Sequence, residues 1–245
     1  MPKFEVHLAV ADRIYSLLGS GIIKNAPLFF CGNLAPDAYE TKSGYLPSDK
    51  KHTHMCDGET VHSYGYGYPG EGELFKSRVN EFIKNYCITA NEDRDLYLGY
   101  VVHLFTDEIY RLKAYQSLWE HLKNTGIDPD GEGFRKDLAD RVTGGGYKDI
   151  FKEISNVYKI SIGEYPFVQN LVKVLEAVGV CEVRDYISAE EINTFNQGVL
   201  SILKNEQPQN RVINDEHNIA VKFIDFTADE IIARIAGKDG TIKII

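Results

Sequence analysis

The chain has 245 residues, 43% of them hydrophobic, and its 36 acidic and 27 basic residues give a net charge of −9. This composition supplies a substantial core and excludes a disordered polymer. The acidic balance argues against a nucleic-acid partner that is held by a broad basic surface.

The first predicted element is an amphipathic helix over residues 5–18, which ends near Gly19 and Gly21. His7 lies near the start of this helix, and the apolar residues that follow it recur at helical spacing. Its ring is therefore expected to point inward. The pattern leaves open whether His7 is a metal ligand or a hydrogen-bonded core histidine.

An irregular region is predicted next. Pro36 interrupts regular backbone, so Asp37 is expected on a loop that follows an apolar run. Residues 40–72 are rich in Gly, Pro, Ser, Asp and Tyr, which predicts a long functional loop that carries His52 and His54. Either histidine could be a ligand or a solvated loop residue, and the alternative for Asp37 is a turn former or a helix cap.

Two helices are predicted after this region, over residues 73–90 and 93–123. The middle of the second is apolar on nearly every side, yet it holds His103 and Asp107 four residues apart on one face. Buried polar groups need partners, and zinc accepts both imidazole nitrogen and carboxylate oxygen. The alternative is a core histidine that bonds to its neighbour. We interpret Glu108 as a surface charge. The alternative is that it contacts the metal ligands and helps to orient them.

The second half of the chain also reads as helical. Ser188 and Glu191 have the spacing of a capping box at a helix start. Strand patterns are sparse, so the predicted fold class is all-α, with a helical domain at 1–185 and a helical extension at 186–245 packed on it. The residues from 240 onward are expected to form a short strand or a frayed tail. The predicted helices span 134–141, 147–159, 165–178, 188–205 and 211–236.

The ordered set of histidines and aspartates resembles the zinc-dependent phospholipase C family, an all-helical group that shares its fold with single-strand-specific zinc nucleases. The resemblance covers about residues 4–115 and implies a multi-helix bundle. The matching pieces are His7, Gly32-Asn33-Leu34-Ala35-Pro36-Asp37, Thr53-His54-Met55 and the most specific stretch, residues 98–107.

The resemblance also implies residue roles. His54, His103 and Asp107 would bind one zinc ion, whereas His7 and the same aspartate would bind a second. Asp37 would position or deprotonate the attacking water. The implied activity is hydrolysis of a small-molecule phosphoester or a phospholipid head group by metal-activated water. A non-catalytic metal-binding relative and a single-strand nuclease are the alternatives.

The chain departs from the family pattern in two places. Secreted members use a processed N-terminal amino group as a ligand, whereas this chain begins Met1-Pro2-Lys3. Members with three metals carry a later histidine and glutamate set, but His121 and His217 have no glutamate four residues on. One or two zinc ions are therefore expected.

The four cysteines, Cys31, Cys56, Cys87 and Cys181, are widely separated and include no C-x-x-C pair. This spacing indicates neither a structural zinc site nor a disulfide framework, so reduced thiols are expected. The sequence shows no signal-peptide pattern and no apolar run of about 20 residues that would span a bilayer. The expectation is a cytoplasmic protein, and the sequence leaves its oligomeric state open.

Overall fold

Helices dominate the computed structural model of this chain. It describes residues 4–57, 72–88, 91–124, 168–205, 215–237 and 242. Within these ranges 78% of residues are helical and no strand forms, which confirms the all-α prediction. The helices are α1 (Phe4–Ile22), α2 (Ala26–Leu34), α3 (Pro47–Thr53), α4 (Glu73–Phe82), α5 (Arg94–Asn124), α6 (Val168–Glu176), α7 (Ala189–Asn205) and α8 (Asp215–Ile235). A 3-10 helix (Ala35–Thr41) and a π-helix (Ile83–Cys87) complete them.

Helix α5 forms the centre of the fold. Every residue from 95 to 110 is buried, which matches the all-round apolar pattern of the sequence. The neighbours of α5 are α1, α2, the π-helix, the 3-10 helix and α8. Polar side chains on the middle of α5 therefore face protein on all sides.

Two glycines allow α2 and α5 to approach each other closely. A Cβ atom on Gly32 would lie 1.8 Å from the carbonyl oxygen of Leu96, and one on Gly99 would lie 1.9 Å from that of Phe29. No side chain larger than hydrogen fits at either position, because these neighbours are backbone atoms of the facing helix. The two helices are consequently in backbone contact just before the residues that form the candidate site.

The start of α5 is fixed to the turn between α1 and α2. The Asp95 carboxylate accepts hydrogen bonds from the backbone N–H groups of Lys24 and Asn25, at 2.7 and 2.6 Å. The Asn25 side chain in turn caps α2 by accepting from the backbone N–H of Leu28. Gly19 has φ 59° and ψ −169°, so regular helix α1 is interrupted where the sequence predicts its end.

Within the described part of the predicted loop, residues 40–57 and 72, the structure contains a helix that was not predicted. Residues 47–53 form α3, which the sequence analysis missed because its polar sequence has no apolar periodicity. The Asp49 carboxylate stabilises this helix by accepting from the backbone N–H of Leu46 at 2.6 Å and from Lys42 at 2.8 Å. Residues 58–71 of the predicted loop lie outside the described residues, as do the predicted helices at 134–141 and 147–159.

The C-terminal helices pack on the same core. The predicted capping box is confirmed at α7, where the Glu191 carboxylate accepts from the backbone N–H of Ser188 at 3.0 Å and the Ser188 hydroxyl accepts from the backbone N–H of Glu191 at 3.4 Å. The prediction that Glu108 is a surface charge is wrong: its side chain is buried and pairs with Arg234 of α8. Sequence could not show this because the partner lies 126 residues away.

At the C-terminus, Ile242 forms an isolated bridge with Ala236, and the rest of the predicted tail lies outside the described residues. Among the helices that the structure describes, none is long and apolar enough to cross a bilayer.

Replacement of Gly99 by alanine is expected to lower the free energy of unfolding by at least about 2 kcal/mol, because the added methyl group overpacks a backbone contact. Gly198→Ala is the matched control, since a Cβ on this helical glycine meets nothing within 4 Å. The control should be neutral or stabilising by about 0.5–1 kcal/mol. Urea unfolding of both variants measures the difference, and equal stabilities would contradict the close-approach interpretation.

Candidate metal centre

Five side chains of the predicted set meet around one point in the interior. They come from three separate parts of the chain: α1, the segment between α2 and the end of α3, and the middle of α5. All five are buried. Their donor atoms form two overlapping groups that could hold a metal ion, His7 with Asp37 and His103, and His54 with His103 and Asp107.

His103 occupies the centre of this cluster. Its Nδ1 lies 2.8 Å from the backbone carbonyl of Asn33 in α2. Because a carbonyl only accepts, Nδ1 carries the proton and Nε2 keeps its lone pair. The ring of His7 stacks on His103 with centroids 3.7 Å apart and planes inclined by 5°. The contact between α2 and α5 thus orients one imidazole, which in turn packs against the second.

His54 is oriented in the same way by its own helix. It follows the last turn of α3, and its Nδ1 lies 3.0 Å from the carbonyl of Lys50 and 2.9 Å from the Thr53 hydroxyl. The Thr53 hydroxyl itself donates to the same carbonyl, so Nδ1 of His54 is the protonated nitrogen. The Nε2 lone pair of His54 therefore also faces the cluster.

The separations between donor atoms suit a shared cation better than direct hydrogen bonds. Nε2 of His7 and of His54 each lie 3.4 Å from an Asp107 oxygen. Asp37 Oδ1 lies 3.5 Å from Nε2 of His54 and 3.9 Å from Nε2 of His103. Ordinary N–H···O bonds are shorter, whereas two ligands of one tetrahedral zinc ion, each at about 2.0–2.1 Å from it, lie about 3.3–3.4 Å apart.

The three Nε2 atoms are buried and make no hydrogen bond to the described residues. A buried polar atom without a partner costs about 1–3 kcal/mol, so three of them at one point are unusual in a folded protein. A cation would satisfy all three lone pairs. The donor set therefore fits a metal ion.

The pKa values of the clustered side chains favour the protonation states in which histidine and aspartate bind metal ions. Burial lowers the pKa of His103 to about 3, with the neighbouring His7 ring acting in the same direction, so its imidazole is neutral near pH 7. Burial alone would raise the pKa of Asp37 and Asp107, but positive charge on the surrounding imidazoles and hydrogen bonds from them outweigh burial and hold both values below the ordinary range, so in the metal-free protein the ionised carboxylates depend on protons held by these imidazoles. Neutral imidazole and ionised carboxylate are the forms that bind metals.

The cluster has one slightly open side. Asp37 is 9% exposed, whereas His7 and Asp107 are fully buried and His54 and His103 are 1% exposed. The 3-10 helix that follows α2 places Asp37 at this edge. Asp37 is therefore the member of the cluster nearest to solvent in the described part of the chain.

The structure shows which of the two neighbouring histidines, His52 in α3 or His54 just after it, belongs to the cluster. His52 is half exposed and lies 2.9 Å from the Asp57 carboxylate and 2.9 Å from the Asp185 carbonyl. Both of its ring nitrogens are thus engaged away from the cluster, whereas His54 points into it. Sequence alone left this choice open, because the two residues are only two positions apart.

Several supporting residues carry no signal in the sequence. Met55, next to His54, has a left-handed φ of 57°, and Arg78 of α4 donates to its carbonyl at 3.1 Å and to that of Asp57 at 2.6 Å. The buried Tyr100 hydroxyl donates to the Thr53 carbonyl. These contacts hold the turn that presents His54, and most end on backbone carbonyls, which any residue type provides.

Comparison with protein-family models, with curated proteins and with solved structures gives no match to this chain. The resemblance to the zinc-dependent phospholipase C family therefore stays a prediction from the quoted residues.

The metal-free protein is expected to lose stability as the pH falls from 6.5 toward about 3. An unfolded chain protonates His103 near its ordinary pKa of 6.5, whereas the folded protein resists protonation until about 3. Protons in this interval therefore bind the unfolded chain and favour it. Urea midpoints measured across this range in the presence of a chelator should decline in the wild type and decline less in His103→Asn. Identical pH profiles would contradict the assigned protonation state.

Replacement of His54 by alanine is expected to abolish or strongly reduce bound zinc, because its Nε2 faces both carboxylates. His52→Ala is the matched control and should bind as much zinc as the wild type. Elemental analysis of the dialysed proteins gives the metal content of each. Equal losses in the two variants, or no loss in His54→Ala, would refute the assignment of His54.

Proposed function

We propose that this protein is a metal-dependent phosphoester hydrolase that resembles zinc-dependent phospholipase C and holds one or two zinc ions. The observation that carries the proposal is the set of three buried Nε2 atoms, from His7, His54 and His103, facing two carboxylates at ligand spacing. Three nitrogens and two carboxylates suit zinc, and catalytic zinc sites, unlike structural ones, leave one coordination position open for water or substrate.

Each residue has a defined task in this proposal. His54, His103 and Asp107 would hold one ion, and His7 with the same aspartate would hold another. Zinc, when bound, supplies a Lewis acid that lowers the pKa of water toward about 7 and offsets negative charge on phosphoryl oxygens. The carbonyls of Asn33 and Lys50 keep the imidazoles of His103 and His54 in the tautomer that ligation requires.

Asp37 is proposed as the residue that orients and deprotonates the attacking water. It is the most exposed member of the cluster, and its carboxyl pKa lies below the ordinary value, so it is ionised at neutral pH and can accept a hydrogen bond that orients the water. The proposed substrate is a small-molecule phosphoester or a phospholipid head group. The net charge of −9 argues against a single-strand nuclease.

A second candidate is a non-catalytic protein in which the metal serves structure. The specific observation in its favour is the low exposure of the whole cluster, since four of the five side chains are at most 1% exposed. In that case zinc would raise the thermal stability of the protein, and no substitution of Asp37 would affect a reaction.

Asp37→Ala is expected to lower turnover of the chromogenic diester bis(p-nitrophenyl) phosphate by about 10²–10⁴-fold while zinc remains bound, because a general base contributes roughly this factor. Glu40→Ala is the control: this carboxylate lies three residues later and is exposed, so turnover should not change. Initial rates and zinc content are measured on the same preparations.

Absence of turnover in the zinc-loaded wild type would favour the structural candidate. Loss of zinc in Asp37→Ala would show that this carboxylate is a ligand and would contradict its assignment as the base.

A further inference from the structure

A second buried pair of reactive groups lies apart from the metal centre. Cys31 of α2 and Cys181, in the segment between α6 and α7, have Sγ atoms 2.8 Å apart although 150 residues separate them in sequence. Both side chains are buried, and all four cysteines of the chain are free thiols in this structure. A disulfide bond is about 2.0 Å long, so formation of one here requires a movement of less than about 1 Å.

We propose that Cys31 and Cys181 form a reversible disulfide, and that this pair is an oxidation site for hydroperoxides. This proposal is independent of the metal centre and goes beyond the hydrolase activity. Helices α2 and α7 pack together, and the contact between the two sulfurs joins α2 to the segment that precedes α7. Formation of the bond therefore requires only a small movement of the two sulfur atoms.

The surroundings give the two thiols different roles. Cys181 is 9% exposed and Cys31 is fully buried, so an oxidant reaches Cys181 first. The hydrogen bond between the two thiols, in which either sulfur can donate, lowers the pKa of Cys181 in spite of burial and, together with burial, raises that of Cys31. The lower-pKa, more accessible thiol is the better nucleophile. Cys181 is thus the attacking thiol and Cys31 the resolving thiol.

A buried amide supports the resolving thiol. Asn196 of α7 is 5% exposed, and its Nδ2 donates to Cys31 Sγ at 3.4 Å. An N–H donor at this sulfur stabilises negative charge on it and therefore assists loss of its proton. Asn196 thereby favours the second step of the oxidation, in which Cys31 must become a nucleophile.

The reaction balances with hydrogen peroxide as the oxidant. The Cys181 thiolate attacks one peroxide oxygen, the O–O bond breaks, and the departing hydroxide takes up a proton to leave as water, giving a sulfenic acid. Cys31 then attacks the Cys181 sulfur, the S–S bond forms, and the released hydroxide accepts the Cys31 proton as a second water. Two thiols lose two electrons and two protons in total, and one peroxide is reduced to two waters.

The expected consequence is a stabilising covalent link between α2 and the C-terminal part of the chain. Closure of a loop of about 150 residues lowers the conformational entropy of the unfolded chain and so stabilises the folded protein. The Tm should rise by up to about 10 °C on oxidation and return to its starting value on reduction with dithiothreitol. The linked helix α2 also carries Asn33, whose carbonyl orients His103.

The test is peptide mapping of the full-length protein after treatment with hydrogen peroxide, denaturation and alkylation. The expected result is loss of two of the four free thiols and a cross-linked peptide that contains Cys31 and Cys181. Dithiothreitol should restore both thiols. Full alkylation of both residues, overoxidation of Cys181 without a cross-link, or a cross-link to another cysteine would overturn the proposal.

Two variants extend the test to stability. Cys181→Ser should show neither the cross-link nor the rise in Tm, whereas the matched control Cys87→Ser, a buried cysteine of the π-helix, should show both. If Cys181→Ser does not fold, the peptide map of the wild type still shows whether the cross-link between Cys31 and Cys181 forms. Zinc content and diester turnover are separate measurements, so failure of this proposal leaves the hydrolase proposal intact.

Discussion

The backbone contact between α2 and α5 is the constraint on which the candidate site depends. Gly32 and Gly99 each face a backbone carbonyl of the other helix at a distance that excludes a Cβ atom. This contact places the Asn33 carbonyl within 2.8 Å of His103 Nδ1. It also fixes where the 3-10 helix leaves α2, and so where Asp37 lies. A wider separation would leave His103 without its partner and would move Asp37 away from the imidazoles.

A positive charge would stabilise the two buried carboxylates of the cluster. Two carboxylates, Asp37 and Asp107, are buried among three imidazoles, and positive charge on those imidazoles is what lowers the pKa of both carboxyl groups in the metal-free protein. Burial of ionised groups costs several kcal/mol each unless an opposite charge or hydrogen bonds offset it. Elsewhere in the fold the chain supplies that charge itself, as where Arg234 pairs with buried Glu108. At the cluster a divalent cation would supply it, and the same cation would satisfy the imidazole lone pairs.

Part of this arrangement could be predicted from the sequence. The remainder depends on polar capping contacts and on long-range contacts, which hydrophobic periodicity does not reveal. The all-round apolar middle of α5 predicted a buried helix, and the spacing of His103 and Asp107 placed both on one face. Periodicity could not find α3, whose polar residues are stabilised by Asp49, nor could it choose between the histidines on that helix. Long-range partners such as Arg234 and the carbonyl acceptors at Asn33 and Lys50 become visible only when distant segments are packed together.

The most direct test of the central claim, that distant parts of the chain share a cation, is an anomalous difference map at the zinc edge from crystals of the zinc-treated protein. The account predicts at least one peak within about 2.0–2.2 Å of Nε2 of His54, Nε2 of His103 and a carboxylate oxygen of Asp107. A map without a peak there, with these imidazoles instead hydrogen-bonded to ordered waters, would contradict it.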